Sequence, residues 1–172
     1  MSAMQKIVPS LWFDTQTEEA MDFYIEIFNS SPHATGESRV ISIARYEKGM
    51  EVPGAQEMEG KIITAIFELD GQRFMALDGG PIFTFSEAVS FYVECEDQEE
   101  VDHFWDRLSA VPEAEQCGWL KDKYGLSWQI VPRQMEELFA SPMRDKALAA
   151  TNAMLKMKKL VIADLQKAFD EA

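Results

Sequence analysis

Cysteine is nearly absent from this chain. Cys95 and Cys117 are the only two in 172 residues, too few to staple a disulfide scaffold, so buried free thiols in a reducing compartment are expected. No run is long and apolar enough to cross a bilayer. The opening MSAMQKIVPSLWF lacks the charged start, apolar stretch and small-residue cleavage site of a secretory leader, and a cytoplasmic protein is expected. Basic residues are scarce: 16 Lys and Arg face 30 Asp and Glu, for a formal charge of −14. Phosphate contacts need clustered cations, so neither nucleic acid nor an anionic membrane surface is an expected partner. Also missing are a Gly-x-Ser-x-Gly elbow, a phosphate-cradling glycine loop and a Cys-His pair at a recognisable spacing.

What is present is said twice. Residues 18–24 read EEAMDFY and residues 99–105 read EEVDHFW, two acidic helix starts that each run into a pair of aromatics. Apolar stretches precede both, SLWF at 10–13 and SFYV at 90–93. Gly71 and Gly125 are each followed three residues later by a large aromatic, Phe74 and Trp128. An internal repeat of this kind implies two copies of one supersecondary unit, neither able to bury its apolar faces alone. The apolar share of 47% is ordinary for a globular chain.

The elements follow in order. Residues 7–13 predict a short strand. Thr17 is the expected N-cap of a helix to about Phe28, with Glu18 and Glu19 suiting the helix dipole and Ala20, Phe23, Ile27 and Phe28 on its apolar face. Residues 38–47 predict a strand, 48–60 a polar loop, and KIITAIFEL with RFMALD a hairpin turned by Asp70-Gly71, a dipeptide suited to positive φ. The second half repeats the order: AVSFYVEC as a strand, Asp97 capping QEEVDHFWDRL as a helix, CGWLKD running to a turn at Tyr124-Gly125, and SWQIVP as a closing strand ended by Pro132. Each half reads strand, helix, then two or three strands. Beyond Arg133, Ala, Leu, Met and Lys at helical spacing predict C-terminal helices near 144–158 and 160–170.

LWFD, the EEAMDFY helix, ELDGQRF with the Gly79-Gly80-Pro81 that follows, and above all CGWLKDKYGLSWQIVP at 117–132 resemble the PhnB-like branch of the vicinal oxygen chelate superfamily, the glyoxalase, bleomycin-resistance and dioxygenase group. Members of this branch often carry the label 3-demethylubiquinone-9 3-methyltransferase. The resemblance implies an α+β fold of two βαβββ modules, at about 7–80 and 86–132 within a domain spanning 1–132, followed by a helical extension at 133–172. It also implies curved sheets that enclose a cavity, commonly within a homodimer.

In that superfamily a metal is held by four side chains, one from the first and one from the last strand of each module. Carried over residue by residue, the positions fall at Val8 (or Ile7 if the register slips by one), Met75, Ala88 and Gln129. Only Gln129 offers an oxygen, and a hard divalent cation needs more than one neutral amide. His33 and His103 lie away from these strands, so no metal and no other cofactor is expected. The methyltransferase label gains nothing from the first strand, which ends in FDTQTEE without a glycine. Gly79-Gly80-Pro81 reads as a tight turn joining the halves.

If Gln129 faces inward, strand alternation turns Ser127, Ser90, Tyr92, Ser10, Trp12, Arg73 and Leu77 inward too, with Trp119 and Lys121 on a neighbouring strand. Ser10, Trp12, Met75, Ser90, Tyr92, Trp119 and Gln129 are therefore the expected pocket residues, and Tyr92, Lys121 and Asp78 are candidates for acid–base chemistry. The function that follows is metal-free binding of a small organic molecule. The alternative is an enzyme of the same superfamily, a lyase, dioxygenase or the labelled methyltransferase, and the spacing selects no reaction.

Overall fold

The computed structural model describes residues 5–172 other than Val52 and Ala55, two positions of the expected 48–60 loop that lie outside the described residues. Its chain divides into two compact units: residues through Ser30 with Ala34–Thr84, and Ser31–His33 with Phe85–Ala172.

The first unit runs β1 (Ser10–Phe13), α1 (Thr17–Asn29), β2 (Arg39–Arg45), β3 (Ile62–Leu69) and β4 (Gln72–Asp78), a complete βαβββ module. Its sheet has the order β1-β4-β3-β2, with β1 parallel to β4 and the other pairs antiparallel. Alternation gives the sheet two unlike faces. Leu11, Phe13, Phe74, Ala76, Ala65, Phe67 and Leu69 are buried on the side where α1 packs. Ser10, Trp12, Met75, Leu77 and Arg73 share the opposite, open face by register. The Asp70-Gly71 turn has positive φ at both residues, 46° and 83°, as the hairpin requires.

α1 departs from expectation in two ways. Thr17 is its first residue and not its cap. The N-cap is Gln16, without a side-chain bond. The Thr17 N–H instead donates to Oδ1 of buried Asp78 at 2.9 Å, so a carboxylate from β4 satisfies the helix start. The buried stripe is Thr17, Ala20, Met21, Tyr24 and Ile27, while Phe23 and Phe28 are only half-buried. The helix is rotated so that Met21 and Tyr24, not Phe23, meet the sheet.

The second unit runs β5 (Ser90–Cys95), α2 (Gln98–Leu108), a 3-10 turn (Pro112–Ala114), β6 (Trp119–Lys121) and β7 (Ser127–Pro132). The sheet order is β5-β7-β6, with β5 parallel to β7. Asp97 caps α2 as expected, accepting from the Glu100 N–H at 3.0 Å. Among the described residues only two strands follow α2. Pro112 opens the 3-10 turn where the first unit has β2, and a single bridge, Gln116 to Trp119, stands in for ladder pairing. The turn before β7 is organised by buried Asp122, which accepts from the N–H groups of Tyr124 and Leu126 and from Trp128 Nε1 at 2.9–3.0 Å.

The tail also belongs to this unit. It forms α3 (Gln134–Phe139), α4 (Arg144–Met154) and α5 (Ile162–Asp170), shorter than the expected 144–158 and 160–170, with α3 as an added turn. Leu138, Ala150, Leu165 and Phe169 form its small core. The segment between α4 and α5 is tied down by its backbone. Cys117 and Gly118 donate N–H bonds to the carbonyls of Met157 and Lys158, both at 2.8 Å. Gln98 donates to the Leu160 carbonyl and accepts from the Ile162 N–H. Leu160 is fully buried.

Candidate functional site

The register of the second sheet arranges its open face as a grid. Ser90 of β5 lies opposite Ser127 of β7, which lies opposite Lys121 of β6. The next row is Tyr92, Gln129 and Trp119. These six side chains share one face, because residues two apart on a strand point the same way. Phe91, Trp128 and Leu120 occupy the other face, towards α2, with Phe91 and Trp128 rings 5.6 Å apart. Within the grid, Gln129 Nε2 donates to Ser90 Oγ at 2.9 Å. The Lys121 ammonium is paired with the Glu87 carboxylate, which lowers the Glu87 pKa. Tyr92 is about half exposed. Burial of its ring and the nearby carboxylates of Glu94 and Glu136 push its phenol pKa up, so it stays neutral. Four of the seven expected pocket residues, Ser90, Tyr92, Trp119 and Gln129, thus meet on one surface. Ser127 and Lys121 complete it.

The other three, Ser10, Trp12 and Met75, share the open face of the first sheet, where Ser10 lies opposite Met75 and Trp12 opposite Leu77. Val8, Ile66, Arg73 and Met75 line a recess of about 170 Å³ there. Trp12 is committed to the chain that follows β4. Its Nε1 donates to the Gly80 carbonyl at 2.9 Å, its ring meets Phe83 edge-on at 5.0 Å, and a Cβ on Gly79 would lie 2.1 Å from the indole. The Gly79-Gly80 turn is therefore shaped around a tryptophan. It offers no cradle for the nucleotide of a methyl donor.

Strand pairing also corrects the carried-over metal positions. Met75 and Gln129 each follow the matching aromatic, Phe74 and Trp128. Ser10 lies opposite Met75, and Tyr92 lies opposite Gln129. Val8, two residues before Ser10, therefore matches Ser90, two residues before Tyr92. It does not match Ala88, which sits in a turn ahead of β5. The corrected set is Val8, Met75, Ser90 and Gln129. It holds a neutral amide and a hydroxyl, already joined through Gln129 Nε2 and Ser90 Oγ, one thioether and one alkyl group. These residues do not fit a hard divalent cation. Among the described residues no three His, Cys, Asp or Glu side chains cluster as a metal site elsewhere.

The histidines are engaged elsewhere. His33 Nε2 pairs with Asp97 Oδ2 at 2.8 Å, and His103 lies edge-on to Phe104 in α2. Asp78 leaves the list of acid–base candidates. It is buried on the α1 side, and its two oxygens accept from the Thr17 and Ile62 N–H groups at 2.9 and 3.0 Å. Cys95 is a buried free thiol whose pKa burial pushes well up, which removes it as a nucleophile.

A protein-family model described as 3-demethylubiquinone-9 3-methyltransferase matches residues 5–131. The chain belongs to this family. It is the PhnB-like branch of the vicinal oxygen chelate superfamily that the sequence resembles. A PhnB protein from Bacillus cereus, described as a 3-demethylubiquinone-9 3-methyltransferase, is 38% identical, with a TM-score of 0.58 over 74% of this chain and 99% of that one. Protein PA1353 from Pseudomonas aeruginosa, 18% identical with a TM-score of 0.55 over 75% of this chain and 98% of that one, shares the fold. Among curated proteins none matches the chain. The family match stops before α3, so the three C-terminal helices lie outside it.

Proposed function

We propose that this PhnB-like protein binds a small, partly aromatic organic molecule on its open sheet faces without using a metal. The observation that carries the reading is the Gln129–Ser90 hydrogen bond. It joins the two second-unit positions where relatives of this superfamily would present metal ligands, across two adjacent rows of polar and aromatic groups suited to orienting an organic ligand. Trp119 and Tyr92 supply apolar area, and the serines and the amide supply hydrogen bonds worth roughly 0.5–1.5 kcal/mol each. A screen of aromatic metabolites and antibiotics by tryptophan fluorescence and melting temperature tests this. Hits that weaken on Trp119→Ala support it. A broad screen that moves neither signal counts against it.

The methyl transfer in the family description finds no support in the chain's residues, because the Gly79-Gly80 turn is filled by Trp12. The partner surface of the same reading is a second copy of the chain, in a cytoplasmic homodimer. β2 is an edge strand, and Val40, Ile41 and Ile43 on it are each more than a third exposed. Such edges are normally paired or covered. Among the described residues no helix is long and apolar enough to cross a membrane. Light scattering at tens of micromolar should give twice the 19.6 kDa chain mass, and a folded monomer would refute the dimer.

A further inference from the structure

The second unit's open face holds one buried group that no contact satisfies. Ser127 is 1% exposed, and its Oγ has no hydrogen-bond partner among the described residues. It stands at the centre of its row, between Ser90 and Lys121. Buried hydroxyls are nearly always hydrogen-bonded, so an orphan one in a row of polar side chains points to a ligand. Lys121 is the single cation among the eight residues of this face: Ser90, Tyr92, Glu94, Trp119, Lys121, Ser127, Gln129 and Val131. Its ammonium is held by Glu87, a mostly exposed carboxylate from the segment before β5. A carboxylate already docks at Lys121, supplied by the chain itself.

We infer that this face takes an aromatic acid, whose ring lies on Trp119 and Tyr92 and whose carboxylate replaces Glu87 at Lys121 while accepting a hydrogen bond from Ser127. The inference rests on the proposed binding function and adds the ligand's charge. In a chain of formal charge −14, a lone lysine beside an unsatisfied hydroxyl provides the local attraction that the overall field denies to anions. Glu87 keeps the lysine neutralised until a ligand arrives. Because 61% of its side chain is exposed, Glu87 can swing into solvent at little cost.

Phenylacetate and indole-3-acetate, titrated against their primary amides by calorimetry, test this. The acids should bind about tenfold more tightly than the amides. Lys121→Met should erase that preference by bringing the acids down to the affinity of the amides. Glu87→Gln, which removes the internal competitor, should tighten the acids about threefold or more without changing the amides. Ser127→Ala, a small change that keeps the sheet intact, should weaken the acids more than the amides. Melting curves establish that each variant is folded, and if Lys121→Met is not, Glu87→Gln and Ser127→Ala decide. Equal binding of acids and amides, or no gain from Glu87→Gln, overturns the inference and leaves small-molecule binding standing. Failure of both series to bind, when other neutral aromatics from the screen do bind, overturns the inference alone. Failure of every aromatic compound overturns both.

Discussion

Gln129 Nε2 and Ser90 Oγ lie 2.9 Å apart, joining the last strand of the second unit to its first. Neither side chain is fully buried, and each stands at a position carried over from the superfamily resemblance as that of a metal ligand. An amide and a hydroxyl bonded to each other hold the face in a defined shape without a cation. Gln129→Leu should loosen Ser90 and weaken ligand binding while costing only about 1 kcal/mol of stability, since the bond is partly exposed. Denaturant unfolding measures the stability and fluorescence titration the binding.

Gly79→Ala should be severely destabilising for a surface turn. Its Cβ would overlap the Trp12 indole, and overpacking of this kind costs about 1–3 kcal/mol. Combined with Trp12→Ala, the same change should cost much less. That non-additivity in a double-mutant cycle shows the turn to be shaped for the indole. Additive losses would show that it is not.

Asp122→Ala removes one acceptor from three donors, including buried Trp128 Nε1. Leaving a buried donor unpaired costs about 1–3 kcal/mol, and the combined loss should approach the upper end or exceed it. Urea unfolding followed by tryptophan emission measures it. A loss under 1 kcal/mol would mean that the turn holds itself without the carboxylate.

The pairing of His33 with Asp97 makes stability pH-dependent. The hydrogen bond to Asp97 raises the His33 pKa, so its contribution is full below the unfolded histidine value near 6.5 and fades as pH rises through the higher folded value. The Glu100 N–H and then His33 lower the Asp97 pKa, so its contribution is present above the unfolded aspartate value near 3.9 and fades as pH falls through the lower folded value. The melting-temperature gap between the native chain and His33→Ala should be widest at about pH 5–6 and narrow by pH 8. A gap that is flat across this range would contradict the pairing.

The order of elements was legible because the repeat is written in strong local signals: Asp97 before two glutamates, Asp70-Gly71 between apolar runs, and aromatics after Gly71 and Gly125. Positions within strands were less so. SLWF and SFYV invite matching Ser10 with Ser90, whereas pairing with β4 and β7 matches Ser10 with Tyr92. A shift of two residues keeps side chains on the same face, so the expected pocket residues share one face of each sheet whichever match is used, while the carried-over metal position moves from Ser90 to Ala88. Thr17 looked like a cap because local sequence cannot show that Asp78, far along the chain, takes its N–H. Strand alternation turns Ser127 inward if Gln129 faces inward, but nothing in the sequence marks its hydroxyl as unsatisfied, which is a property of packing alone. The hold of Gln98 on the 157–162 segment is likewise a tertiary fact.

The central claim is ligand binding without a metal. It is tested most directly by calorimetric titration of one fluorescence-screen hit into protein dialysed exhaustively against EDTA, and again after adding one equivalent of Zn, Mn, Fe or Ni. Equal affinity in all titrations is the predicted result, with binding lost in Trp119→Ala. Binding that vanishes with EDTA and returns with one equivalent of metal would contradict it.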